Sequence, residues 1–265
     1  MTVLVGLSPD ARDDAGGALA LATRLARAWR EDLTVAVVAP AGSSADPVRA
    51  ALGGVLAGAG VEVTWRTVQG RSVADGLVEA VTGDVSVIVL GSDPDRTGRV
   101  AVRVARSSPV PVVLARDAGA ASGRTVERVT CAFDGTTASS AVLAAAADLA
   151  ARSAATLRVV SFAVRRPPAI PPEVGLDAEE PVIAQWSEQV ARRQAEALSD
   201  LGVEAETAVH AGATWEDAVH AAGWTPGDLL VVGGSAGPAT RLFLGDRVRA
   251  IVAAAPVPAV IVPSA

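Results

Sequence analysis

The chain has 265 residues, half of them apolar, and a formal net charge of −6, which allows one large domain or two ordinary domains with buried cores. All 23 basic residues are arginine and none forms a basic stripe, which excludes nucleic acid and anionic membrane as the main partner. The amino terminus lacks the basic start of a signal peptide, and no apolar run reaches about eighteen residues, so no membrane helix is expected.

The first part of the sequence alternates short apolar runs with stretches of helical periodicity. The apolar runs predict five strands, at 3–7, 33–39, 61–68, 86–91 and 110–115. The stretches between them predict four helices, at 15–30, 46–60, 72–83 and 99–108. A small-residue segment without periodicity, 117–125, then interrupts the pattern and reads as a linker.

The remainder repeats the same order, which indicates an internal duplication. Its predicted strands lie at 128–134, 156–162, 203–209, 229–233 and 257–262, and its predicted helices begin at 138 and cover 179–201, 215–223 and 247–255. The clearest repeat is SSPVPVVLAR at 107–116 against AAPVPAVIVP at 254–263. We therefore predict two domains, residues 1–118 and 124–265, called here the first half and the second half.

Regular alternation of strand and helix with continuous valine-rich strands predicts an α/β fold of two tandem five-stranded parallel sheets, each doubly wound. Proline in the last strand of each half, Pro111 and Pro258, suits a sheet edge. An apolar edge is an aggregation hazard unless it is covered. The two halves could cover each other's edges as an internal pseudo-dimer, and a homodimer is left open.

In such sheets a ligand binds beyond the carboxyl ends of the strands, where the strand order reverses. In the second half these positions are AFDGTTAS at 132–139 and the glycine-rich stretch VVGGSAGPATRLFLGD at 231–246, which precedes a helix. Free backbone N–H groups at such a helix start can cradle a phosphate. The first half offers VGLSPDA at 5–11 and VLGSDPDRTGRV at 89–100 in the same places.

At these motifs the chain resembles the universal stress protein family, specifically its tandem two-domain members, over nearly its whole length. The ATP-binding pattern of that family has a strand ending V-D-G-S and a loop G-x2-G-x9-G-[ST]. Phe133, Asp134, Gly135 and Thr136 match the first motif. The resemblance implies that Asp134 lies by the adenine and ribose, with the end of the second strand near Val160 beside it. The ligand so implied is ATP or another adenine nucleotide.

The loop matches only in part. Gly234 and Gly237 fit its start, but Gly245 follows two residues too early, and Asp246 stands where a serine or threonine would donate to phosphate. A carboxylate accepts hydrogen bonds, repels phosphate, and is among the best helix N-caps. We expect Asp246 to cap its helix in place of a phosphate, with Arg241, Arg247 or Mg²⁺ as groups that could offset its charge.

The first half departs further, because Ser8 replaces the aspartate of the first motif and the loop at 92–97 carries two carboxylates and no convergent glycines. We expect it to bind no nucleotide and to serve packing or partner contact. The Pro-rich segment 164–177 has no counterpart there; it is either a stiff connection or a lid, and the connection is favoured.

Other constellations are weak. Without lysine no P-loop exists, and neither a dinucleotide fingerprint nor a hydrolase elbow is present. His210 and His220 lack metal-ligand spacing. His210 falls at the carboxyl end of its strand, where it lies either near the pocket rim or on a surface turn, and the surface turn is favoured. Cys131 reads as a small buried hydrophobe and, as the single cysteine, indicates a cytoplasmic protein.

Three functions stay open on these grounds. The favoured one is a non-enzymatic stress-response or regulatory protein that has lost most phosphate binding and acts through protein contacts with an unknown partner. The second is an adenine-nucleotide binder that uses the second half and favours AMP or adenosine over ATP. An enzyme ranks last, because no catalytic constellation supports it.

Overall fold

The computed structural model describes residues 1–8, 15–39, 44–91, 99–116, 125–165, 172–234 and 246–263. The strands of the first half are β1 (Thr2–Leu7), β2 (Asp32–Val38), β3 (Val63–Val68), β4 (Val85–Gly91) and β5 (Val112–Ala115). Those of the second half are β6 (Arg128–Ala132), β7 (Thr156–Val164), β8 (Glu206–Gly212), β9 (Asp228–Gly233) and β10 (Ala259–Val262).

Helices connect these strands in the order that the sequence predicts. The first half contains α1 (Ala15–Trp29), α2 (Asp46–Ala57), α3 (Val73–Glu79) and α4 (Arg99–Ser107). The second half contains α5 (Thr137–Ser153), α6 (Pro172–Leu201), α7 (Trp215–His220) and α8 (Asp246–Ala254). The predicted α/β fold with a mostly parallel sheet is therefore confirmed.

All ten strands join one sheet in the order β3-β2-β1-β4-β5-β10-β9-β6-β7-β8. Within each half the neighbours are parallel, and the halves meet where β5 and β10 pair antiparallel, with Val113 opposite Val260. The last strand of each half is thus covered by the other, while Pro111 and Pro258 lie just before these strands and not within them as predicted. The boundaries 1–118 and 124–265 stay predictions, since residues 117–124 lie outside the described ranges.

Two apolar layers lie on the two faces of the sheet, because successive strand side chains point to opposite faces. One layer is covered by α1, α2, α5 and α6, and the other by α3, α4, α7 and α8. On β1, for example, Val3 and Val5 belong to the first layer and Leu4 to the second. Both layers run through both halves, so the fold has a continuous core on each side.

Polar contacts also join the halves on the α1–α5 side. The side chain of Glu31 is 7% exposed and accepts from Arg152 Nη2 at 2.5 Å and from Ser86 Oγ at 2.5 Å. The Arg152 guanidinium lies 4.2 Å from the ring centroid of Trp29, whose Nε1 donates to Ser153 Oγ at 2.9 Å. We call Trp29, Glu31, Arg152 and Ser153 the latch.

Two predicted elements differ from the structure. The helix expected at 179–201 begins at Pro172, so it takes in the end of the Pro-rich segment, while residues 166–171 of that segment lie outside the described ranges. Proline is well tolerated in the first turn of a helix, where its missing N–H would have no partner. His210 lies inside β8, with its ring stacked on Phe162, so the predicted surface turn is wrong.

Candidate functional site

The candidate site lies where the strand order of the second half reverses. There β6 sits between β9 and β7, and the chain leaves β6 for α5 on one face and β9 for α8 on the other. A doubly wound sheet binds its ligand in the crevice at such a reversal, which here lies beyond the carboxyl ends of β6 and β9. The two predicted motifs follow these two strands.

The turn after β6 is held by its own aspartate. Asp134 Oδ1 accepts from the backbone N–H of Thr136 at 3.0 Å and from Thr136 Oγ1 at 2.7 Å. Gly135 has φ +76°, a conformation that side chains strain to adopt, so glycine is required between them. Thr136 is the N-cap residue of α5, in extended conformation. The motif predicted from sequence is thus a closed turn that starts a helix.

The carboxylate of Asp134 is ionised at neutral pH. Partial desolvation is the largest single influence and acts to raise the pKa. The two hydrogen bonds from Thr136, the nearby hydroxyl of Ser139 and the positive charge of Arg247 together outweigh it, so the pKa of Asp134 lies below its usual value. Asp134 is exposed, and an exposed ionised carboxylate can accept hydrogen bonds from ligand hydroxyls.

Helix α6 holds the same turn from the side. Arg193 Nη1 donates to the carbonyl of Gly135 at 3.1 Å. The next residue, Gln194, is fully buried and donates from Nε2 to Ser161 Oγ at 2.9 Å, and Ser161 in turn donates to the carbonyl of Phe133 at 2.6 Å. Sequence reasoning missed these three side chains because they lie in a helix and a strand without any motif.

Val160 does not lie at the end of its strand. Strand β7 continues to Val164, four residues beyond the position expected for the strand end, and the side chain of Val160 is 0% exposed in the core. Its carbonyl accepts from the backbone N–H of Phe133 at 2.8 Å. The backbone of Val160 therefore holds the start of the turn through this hydrogen bond, and β7 ends at Val164.

The loop after β9 is described only at its two ends. Gly234 follows β9 and donates its N–H to the Val262 carbonyl at 2.8 Å, while Gly237 and Gly245 lie outside the described ranges. Gly233, before it, must be glycine, because a Cβ there would come within 2.7 Å of Val142 on α5. Helix α8 begins at Asp246, whose side chain is not described, so its capping role stays a prediction.

One cation near this loop is described. The guanidinium of Arg247, the second residue of α8, lies 5.7 Å from the ring centroid of Trp215 on α7, a distance suited to a cation–π contact. Its charge also acts on Asp134. Arg247 was named from the sequence as a group that could offset the charge of Asp246, and that role stays a prediction because the Asp246 side chain is not described.

The first half differs at the equivalent position. Val5 and Val35 pair across β1 and β2 as Cys131 and Val159 do across β6 and β7, so Ser8, three residues after Val5, stands where Asp134 stands in the second half. Residues 9–14 and 92–98, the loops that would complete a first-half site, lie outside the described ranges. The expectation that this half binds no nucleotide stays a prediction.

The other reactive side chains lie in structural places. Burial raises the pKa of the Cys131 thiol to about 12, which fits the small buried hydrophobe that the sequence suggested. Within the described ranges, no three histidine, cysteine, aspartate or glutamate side chains come together to hold a metal. In the same part of the chain, no helix combines the length and apolar character needed to cross a membrane.

Comparison with known proteins extends over the whole chain. The sequence model of the universal stress protein family matches residues 125–263, which is the half with the more complete motifs. Universal stress proteins of Mycobacterium tuberculosis and Mycobacterium bovis are each 34% identical to this chain, over 99% of it and 100% of their own length.

Crystal structures with a similar fold come from two further organisms. A Pseudomonas aeruginosa protein, provisionally named a universal stress protein, has a TM-score of 0.65 and 18% identity over 99% of this chain and 93% of its own. A universal stress protein of Archaeoglobus fulgidus has a TM-score of 0.60 and 15% identity over 98% and 96%. These two support the fold, and the sequence matches over more than half of the chain and over full-length relatives show that this chain belongs to the universal stress protein family.

Proposed function

We propose that this chain is a non-enzymatic, cytoplasmic regulatory protein of the stress response in which phosphate binding is largely lost. Membership of the universal stress protein family supports the general role in the stress response. The observation that carries the loss of phosphate binding is the start of α8 at Asp246, where the ATP-binding pattern has a hydroxyl that donates to phosphate. An ionised carboxylate there repels phosphate and occupies the N–H groups that phosphate would use.

The second candidate function is binding of an adenine nucleotide or nucleoside in the second half. The closed turn Phe133–Thr136 with ionised Asp134 favours it, because this part of the motif recognises the nucleoside and not the phosphates. Arg247 adds one positive charge near the carboxylate. Two described cations, Arg193 and Arg247, set against the carboxylates Asp134 and Asp246 leave no excess positive charge, which favours adenosine or AMP over the more highly charged ATP.

The test compares adenosine, AMP and Mg-ATP by calorimetry, after mass spectrometry of the purified protein for any ligand it retains. We expect weak or no Mg-ATP binding by the unaltered chain. Asp246→Ser supplies a donor and removes a charge, and we expect it to raise Mg-ATP affinity about tenfold, the value of one charge-assisted hydrogen bond. Asp200→Ser, an exposed aspartate at the end of α6, is the charge-matched control.

The other outcomes decide between the alternatives. Tight Mg-ATP binding by the unaltered chain would contradict the loss of phosphate binding. If Asp246→Ser changes no affinity, the shortened loop and not the charge is the obstacle. If neither adenosine nor AMP binds, the second candidate function fails and the regulatory role through protein contacts stands alone.

A further inference from the structure

The two halves differ at one pair of core-facing side-chain positions next to the candidate site. The α2–β3 and α6–β8 connections align as Gly60-Val61-Glu62-Val63 against Gly202-Val203-Glu204-Ala205, with both glycines at positive φ. Counting back along the helices makes Ala51 equivalent to Arg193 and Leu52 to Gln194. The strand registers make Val37 equivalent to Ser161.

An apolar pair in the first half is therefore replaced by a polar pair in the second. Leu52 packs against the core in the first half, where Val37 is fully buried, while Gln194 and Ser161, 0% and 1% exposed, form a hydrogen-bonded chain in the second. The apolar version shows that the fold at this place needs no polar group. A buried polar group costs stability unless it is fully paired, so the polar version calls for a reason other than stability.

Gln194 is not fully paired. Its Nε2 donates to Ser161 Oγ and to the carbonyl of Ala208 at 3.2 Å, and a carbonyl accepts only, which fixes the orientation of the amide. Among the described residues, its buried Oε1 has no hydrogen-bond partner. Because an unpaired buried acceptor is destabilising, this glutamine is a poor choice for packing alone.

Arg193 and Gln194 both act on the turn that follows β6 in the second half. Gln194 orients the Ser161 hydroxyl, which donates to the carbonyl of Phe133, and Arg193 donates directly to the carbonyl of Gly135. The two carbonyls that bracket Asp134 are thus both held by donors. Where the first half has Ser8 in place of Asp134, it has Ala51 and Leu52 in place of Arg193 and Gln194.

We propose that Arg193 and Gln194 of α6 are positioning residues of the second-half site, which clamp the Phe133–Thr136 turn in the shape that presents Asp134 to a ligand. This inference rests on the second-half site of the proposed function. The clamp also ties the turn to α6, the helix into which the Pro-rich segment leads. A change in the position of α6 would therefore reach the turn that carries Asp134 through the Arg193–Gly135 bond and through the chain from Gln194 by Ser161 to Phe133.

The experiment measures the conformation of the Phe133–Thr136 turn in the full chain without any ligand. NMR follows the titration of the Asp134 carboxyl and the hydrogen exchange of the Thr136 amide in Gln194→Leu, Arg193→Ala and the double variant. Gln194→Leu installs the first-half residue and changes no charge. We expect the pKa of Asp134 to rise toward its ordinary value and the Thr136 amide to exchange about tenfold faster in the double variant, as its bond to Asp134 loosens.

Matched variants separate the clamp from general effects. Arg192→Ala removes the same charge one residue away, at a side chain bonded to Glu188, and should leave the turn unchanged. Arg193→Lys keeps charge and donor and should restore most of the protection that Arg193→Ala loses. A double variant that remains folded with unchanged Asp134 titration and Thr136 exchange would overturn the proposal. If the double variant fails to fold, equal exchange in Arg193→Ala and the unaltered chain would overturn it.

Adenosine and AMP calorimetry on the same variants keeps the two proposals distinguishable. Loss of affinity in the double variant, with the fold intact, supports the clamp at the level of binding. If the unaltered chain binds neither ligand, the second candidate function fails, while the turn measurements still decide the clamp.

Discussion

We expect His210 to make the stability of the chain depend on pH. Burial lowers the pKa of this imidazole below 6.5, the positive charge of Arg158 lowers it further, and Glu206 acts in the opposite direction. Below pH 6.5 the unfolded chain binds a proton that the native chain does not, so the stability is present above that pH and is lost as pH falls toward the native pKa. We expect the urea midpoint to fall from pH 7.5 to pH values below 6.

The control for this prediction is the other histidine. His210→Gln should flatten the pH dependence over that range, although it also loses the stacking on Phe162 and so lowers stability at every pH. His220→Gln changes an exposed residue at the end of α7 and should leave the slope as it is. An unchanged slope in His210→Gln would mean that the imidazole is not the titrating group.

The residues of the site divide into those that sequence can predict and those that it cannot. Asp134, Gly135 and Thr136 are local: a turn that ends a strand and begins a helix needs an acceptor, a glycine and a cap within three neighbouring positions. Arg193 contacts the same turn from about sixty residues away and Gln194 reaches it through Ser161, separations that carry no spacing rule. Only the comparison of the two halves, leucine against glutamine at one buried position, contains a signal for them.

At the scale of elements, the latch joins α1 to α5 through groups that are not equivalent in the two halves. Glu31 belongs to the first half and Arg152 to the second, and Ser86 adds a second donor to the carboxylate. Two first halves placed together would bring two Glu31 carboxylates into this contact without an arginine partner, and two second halves would bring two Arg152 guanidinium groups without a carboxylate partner. The latch therefore favours pairing of unlike halves.

We expect charge reversal in the latch to show this complementarity. Glu31→Arg or Arg152→Glu alone places like charges together at a largely buried carboxylate position and should lower the free energy of unfolding by about 3 kcal/mol. The double reversal should recover part of that loss, and not all, because the Arg152 contact with Trp29 and the Ser86 bond to Glu31 are absent from it. The measurement is a double-mutant cycle in urea.

An exposed ion pair on α6 serves as the reference for the free-energy changes in this double-mutant cycle. Glu188 and Arg192 lie 3.4 Å apart on α6, both about 70% exposed, and reversing either should change stability by less than about 0.5 kcal/mol. If the latch reversals cost as little as this pair, or if the double reversal recovers nothing, the latch does not specify the pairing of halves.

At the element scale, the alternation of strands and helices is well predicted. Parallel strands that are buried on both faces consist of continuous apolar runs, which are easy to recognise in a sequence. Element ends are predicted less well. The long α6 begins at Pro172 because proline starts a helix as readily as it ends one, and a Pro-rich segment does not reveal which applies. Strand β7 reaches Val164 because β8 continues beside it to Gly212. The sequence of β7 alone does not predict this pairing.

For the whole molecule, the arrangement of the two halves places two sheet edges where each covers the other. In the intact chain Val112, Val113 and Leu114 of β5 are at most 4% exposed and pair antiparallel with β10. Residues 1–118 expressed alone would expose this apolar edge together with the Trp29 side of α1. An exposed edge of this kind associates with other chains, so we expect the first half alone to form dimers or larger assemblies in light scattering, while the full chain does not do so through β5.

A single substitution separates edge pairing from general exposure of the core. Val113→Lys in the isolated first half places a charge on the edge strand, a device that blocks edge-to-edge pairing, and should shift the assembly toward monomer. Ser86→Ala leaves the edge as it is and should not change the assembly. An isolated first half that is monomeric, folded and soluble without Val113→Lys would contradict the view that the duplication serves to cover these edges. In that case the continuous sheet would form only because both halves lie on one chain. The contacts of the latch alone would then determine how the two halves pair.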